Sequence, residues 1–93
     1  MTVIARHLII KGHVQGVFYR AWTVETAMAL GLTGWVRNRM GGDVEALVQG
    51  DPAIVARFIE AAWRGPSAAR VEHVDEREAE PVQIGGFSQR ETK

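Results

Sequence analysis

Five of the breaks that glycine and proline make in this chain separate its periodic runs, and their spacing leaves little freedom in how it can fold. They fall at Gly12 to Gly16, Gly31, Met40-Gly41-Gly42-Asp43, Gly50-Asp51-Pro52 and Gly65-Pro66. Between them the apolar residues recur at every second position in some runs and at every third or fourth in others, the periods of strand and helix. Residues 4–13 read as a strand: Ile4, Leu8 and Ile10 share one parity, with Arg6 intruding, and His7, Lys11 and His13 share the other. One face of it is therefore expected to be buried and the other partly wet. Residues 18–30 read as a helix, with Val24, Ala27, Met28 and Gly31 at three- and four-residue steps and Gly31 as its stop. Residues 32–39 and 44–49 read as a hairpin around the 40–43 turn.

Asp51 and Pro52 form a strong helix start, a side-chain cap followed by a residue whose missing N–H costs nothing there. Ile54, Val55, Phe58, Ile59, Ala62 and Trp63 then give that helix a broad apolar face. Trp35 and Trp63 are expected in the core, and Trp22 at the edge of a pocket. Residues 71–78 read as a fourth strand whose carboxylates, Glu72, Asp75, Glu76 and Glu78, suit a sheet edge better than a metal. Residues 81–86 read as loop, and Phe87 as the anchor of a short last strand before a frayed tail. The order strand–helix–strand–strand–helix–strand predicts one α+β domain over residues 1–93: a ferredoxin-like split βαβ sandwich, with two helices on one face of an antiparallel sheet in the order 4-1-3-2.

Gly12-His13-Val14-Gln15-Gly16-Val17-Phe18-Tyr19-Arg20 leaves the first strand and enters the first helix. The first amides of a helix have no helical partner and sit at the positive end of its dipole, so a loop entering there suits an anion. Gly16 gives the backbone freedom to turn, and the Arg20 guanidinium can grip two phosphate oxygens at once. In the expected topology the first two strands run parallel with the third between them, so Asn38 ends at the same sheet edge, about 10 Å away. Neither stretch holds a Ser, Cys, Asp, Glu or Lys to act as nucleophile or metal ligand, and no Gly-rich loop ends in Lys-Ser/Thr. Amides, a guanidinium and a carboxamide can bind a phosphoryl group, spread its charge and orient a water, with little acid–base power. That toolkit suits a leaving group stable as an anion near neutral pH, as a carboxylate is. A mixed carboxylic–phosphoric anhydride is favoured over an alkyl phosphate.

Composition narrows the setting. The absence of cysteine removes disulfides and thiolate metal sites, and a cytoplasmic location is the default expectation. No apolar run approaches a membrane span, and residues 1–7 do not resemble a signal peptide. Charge is zero overall but uneven, with five basic residues against one acidic up to Gly42 and six against ten from Asp43 onward. A nucleic-acid binder would carry a basic excess over the whole domain. We therefore expect a monomer acting on a small molecule, with no nucleic acid and no membrane as partner.

Gly12-x-Val14-Gln15-Gly16-Val17-x-x-Arg20, then Gly34-Trp35-Val36-Arg37-Asn38, Gly42-x-Val44 and Gly50, resemble the two signatures of the acylphosphatase family. The likeness runs through Gly65-Pro66, Val71 and Phe87, with Tyr19 standing where the family usually has Phe. The resemblance implies hydrolysis of acyl phosphates to a carboxylate and inorganic phosphate with no metal, cofactor or phosphoenzyme. It implies that Arg20 and the amides of Gln15, Gly16, Val17, Phe18, Tyr19 and Arg20 hold the phosphate. It further implies that Asn38 holds the attacking water, with Thr23 as a possible support for Asn38 or the water. Two other readings stand beside it: a phosphate-binding module of the same fold without turnover, and an RNA-binding domain. The second would want stacking aromatics on the central strands, and Val44-Glu45-Ala46-Leu47-Val48 has none. The sequence pattern of the two signatures does not by itself name the acyl group of the substrate.

Overall fold

The computed structural model describes residues 2–93; Met1, included in the expected domain, lies outside the described residues. The elements follow the breaks: β1 (Ile4–His13), α1 (Tyr19–Ala29), β2 (Thr33–Asn38), β3 (Val44–Gly50), α2 (Pro52–Ala62), β4 (Arg70–Ala79) and β5 (Phe87–Gln89). They make a sheet of order β4-β1-β3-β2-β5. β1, β3, β2 and β4 pair antiparallel, but β5 adds parallel to β2, so the sheet is mixed rather than wholly antiparallel. Helix α1 lies over β2 and β5, and α2 over β1 and β3.

The inner face is built by register. Leu8, Ala46 and Val36 lie in one row across β1, β3 and β2, and Ile10 faces Val44 and Val74. All six are buried, and the helices cover them with Ala27, Val55, Phe58 and Ala62. The small Ala46 in the middle of its row lets the larger side chains beside and above it interlock. Asp51 caps α2 as its sequence predicts, its Oδ1 accepting from the Ala53 amide at 2.9 Å. In α1 the buried stripe is Tyr19, Thr23 and Ala27, and Met28 is 60% exposed, so the expected Val24–Met28 face is turned by about one residue. The aromatic Tyr19 sets that rotation: its ring is buried, and its hydroxyl donates to the Ala62 carbonyl of α2 at 2.6 Å. Burial pushes the phenol pKa up.

The other face is not simply wet. Glu45, Leu47 and Gln49 on its central strand are as buried as the core. Gln49 clasps the segment that runs from β4 to β5, donating to the Val82 carbonyl at 2.7 Å and accepting from the Val82 amide at 3.0 Å. Trp35 lies on this face in contact with the guanidiniums of Arg37 and Arg90, 4.9 and 4.8 Å from its ring centroid, rather than in the main core. Trp63 is 46% exposed and meets His73 edge-on. One residue past the end of α2, it lies against the edge strand β4 instead of in the core under the helix. Nor does the tail fray. Beyond β5 the Arg90 amide donates to the Val36 carbonyl, and Lys93 donates to Asn38 O and accepts from the Met40 amide.

Candidate active site

β1 ends at His13 and β2 at Asn38, both at one edge of the sheet with β3 between them. A register shift between Lys11 and Gly12 in the β1–β4 pairing bends the end of β1 and aims the loop that follows. Only glycine fits at that shift, since a Cβ on Gly12 would stand 2.2 Å from the Arg70 carbonyl oxygen.

The loop from Val14 to Phe18 contains two left-handed residues, Gly16 at φ 74° and Phe18 at φ 65°. Such turns gather successive N–H groups on one concave side. Among the described residues no acceptor takes an amide proton from residues 15 to 20. For glycine the conformation is free, whereas for a bulky side chain it costs about 1–2 kcal/mol. Phe18 is the only non-glycine residue among those described that adopts it.

Arg20, Asn38, Gly16 and Phe18 line one cavity of about 330 Å³, whose walls are completed by Val14, Tyr19, Ala21 and Gln89. The two signatures are thereby brought to one place. Asn38 Oδ1 is the one buried side-chain polar atom among the described residues that has no hydrogen-bond partner. Its backbone is not loose: Asn38 pairs with Val44 of β3 on one side, and its carbonyl accepts from Lys93 at 3.1 Å on the other. The Arg20 side chain has no carboxylate partner among the described residues, although the neighbouring strand carries arginines that do. A buried acceptor left unpaired costs about 1–3 kcal/mol, so it is expected where a ligand completes the bonding.

Gln15 does something its sequence position conceals. Its side-chain amide donates to the carbonyls of Arg39 at 2.7 Å and Asp43 at 2.8 Å, tying the loop to the β2–β3 turn. The cradle and Asn38 are thus fixed relative to each other. No local pattern signals this, because the partners lie 24 and 28 residues away. Thr23 is not brought to the site. It is fully buried, donates its hydroxyl to the Tyr19 carbonyl at 2.9 Å, and steadies the first turn of α1 instead of Asn38 or a water. Trp22 packs on Phe58 and Tyr19 and lines a separate, larger hollow between the helices, not this cavity. That hollow, about 660 Å³, contains no orphaned buried atom and none of the unpaired groups described above.

No sequence motif marks Glu45, on the outer face. His7 Nε2 at 2.6 Å, Arg37 Nε and Arg39 Nη1 at 3.3 Å converge on its carboxylate. Burial alone would raise that carboxyl, but the hydrogen bonds from Arg37 and His7 and the charge of Arg37 outweigh it and hold the pKa at about 2. Periodicity predicts which face a side chain takes but says nothing of the donors that fold over it.

Comparison with known proteins agrees with this geometry. The acylphosphatase family model matches residues 6–89. An acylphosphatase of an Acidovorax species is 53% identical over 96% of this chain and 92% of its own length. One from Rhodopseudomonas palustris is 54% identical over 87% of this chain and 82% of its own. Among solved structures, an acylphosphatase from Coxiella burnetii superposes with a TM-score of 0.92 at 35% identity, covering 95% of this chain and 93% of that one.

Proposed function

The chain belongs to the acylphosphatase family and hydrolyses acyl phosphates, and from that premise we propose how its residues divide the reaction. The amides of Gln15, Gly16, Val17, Phe18, Tyr19 and Arg20 hold the phosphoryl oxygens, and the Arg20 guanidinium takes the charge that builds on them. Asn38 Oδ1 accepts a hydrogen bond from the water that attacks. As the water oxygen bonds to phosphorus, the bond to the acyl oxygen breaks and its electron pair leaves with the carboxylate. The water's proton passes to a phosphoryl oxygen, so no protein base is required.

The observation that carries this division is that the Asn38 side chain, whose buried Oδ1 has no partner among the described residues, lines the same cavity as Arg20 and the loop. The walls of that cavity explain the choice of substrate. They contain no carboxylic acid, histidine or lysine, and the one phenol, Tyr19, is committed to the Ala62 carbonyl with its pKa pushed up by burial. A carboxylate leaves without a proton, but the alkoxide of a phosphate monoester needs one. On the same reading the protein works as a monomer in the cytoplasm, away from membrane and nucleic acid. What supports this is a site formed within one chain, no helix among the described residues long and apolar enough to cross a membrane, and zero net charge.

The test is Asn38→Ala. We expect kcat to fall on the order of 10² or more, with the inhibition constant of inorganic phosphate within about twofold of the parent value. An equal loss of phosphate affinity would contradict the assignment. EDTA in the same assay should leave turnover unchanged, and a simple phosphate monoester should not be turned over.

A further inference from the structure

We propose that Phe18 reads the acyl group, and that the site favours acyl phosphates whose acyl group is aromatic or bulky and apolar. The inference rests on the phosphoryl group lying against the loop amides as proposed above. With the phosphate there, the acyl group has to extend toward the solvent-open side of the cavity. Of the large apolar side chains in its walls, Val14 and Tyr19 are only 1% and 2% exposed, whereas Phe18 is 81% exposed. Gly16, Ala21 and Gln89, the other exposed wall residues, offer no side chain, a methyl group and a carboxamide. Phe18 is thus the one large apolar surface that a ligand in this cavity can still cover.

The fold gives no other use for that ring. Phe18 is absent from the core cluster and from every aromatic pair among the described residues. It stands in the left-handed region, where Gly or Asn would sit with less strain. A phenyl side chain that is strained, solvent-exposed and at the mouth of a reaction cavity matches a flat apolar partner, which it would stack against or meet edge-on.

The experiment measures kcat/KM for benzoyl phosphate and acetyl phosphate, which release acids of similar strength, so that their ratio reports contact with the acyl group. In the parent protein the ratio should favour benzoyl phosphate by about tenfold, mainly through KM. Phe18→Asn, which suits the backbone, should bring the ratio close to one, and Phe18→Leu should retain part of it. Any loss common to both substrates reports the loop and cancels in the ratio. A parent ratio near one overturns the proposal without any variant. A ratio unchanged in both variants overturns it too, and Phe18→Gly replaces either variant that does not fold. Failure of the underlying division of labour looks different: Asn38→Ala would then turn over both substrates at the parent rate, whatever the ratio.

Discussion

Residues 37 to 39 pass through two different chemical settings within three positions. Arg37 and Arg39 turn to the outer face of the sheet, where both guanidiniums are held by Glu45. Asn38, between them, lines the cavity, and its buried Oδ1 has no hydrogen-bond partner among the described residues. The same contrast holds for the arginines themselves, since among the described residues Arg20 has no carboxylate partner and Arg37 has a buried one. On the outer face polar groups are matched to one another, which locks the sheet and its covering segment together. At the cavity they are left over, and the loop that carries them is held in place by other means: Gln15 below, and the Tyr19 hydroxyl behind. Matched polar groups stabilise the fold, and unmatched ones await a ligand.

Arginine substitutions test this contrast most severely. Arg20→Ala should lower kcat/KM by on the order of 10³ or more while barely altering the melting temperature, and Arg20→Lys should recover little, since an ammonium cannot copy the fork. A large loss of stability in either variant would show that Arg20 belongs with the matched set after all.

Glu45→Gln should do the reverse. We expect a loss of about 2 kcal/mol in urea unfolding with kcat much less affected, because the charge that Arg37, Arg39 and His7 share is gone. The Glu45 carboxyl has a pKa of about 2 in the folded protein against an ordinary value of 4.5, so its contribution is present above pH 4.5. That contribution fades as pH falls from about 4.5 towards about 2. The Gln variant should therefore lose less stability over that interval than the parent does.

The smallest effect expected is that of Gln15→Ala, which removes two hydrogen bonds but no group that touches substrate. About 1 kcal/mol of stability and about tenfold in kcat/KM should be lost together. Unchanged turnover would mean that the loop keeps its position without the tie to the β2–β3 turn.

What could be read in advance was whatever chain neighbours decide. The Asp51–Pro52 helix start, the strand end at His13, the place of Asn38 near the end of the next strand, and the meeting of those ends at one sheet edge all follow from local pattern and from the rules of strand connection. What escaped depends on partners far along the chain. Nothing in the local pattern marks Glu45, because its partners His7 and Arg37 come from other strands, and Met28 and Trp63 are expected to be buried because periodicity fixes a face only to within about one residue. The tail looked frayed because Val36, Asn38 and Met40, which it pairs with, are some 50 residues earlier. Thr23 was matched to a role by position in a motif, while its hydroxyl had a nearer acceptor in its own helix.

The Tyr19 phenol joins the two halves of the molecule. Its amide belongs to the loop of β1 and α1, and its hydroxyl rests on the last residue of α2. If α2 were to peel away on its own, it would take the back support of the loop with it, so the site cannot survive as a fragment once the second helix has gone. Partial opening and loss of the site become one cooperative event. A chain this short thereby keeps its catalyst assembled for as long as it stays folded, and no longer.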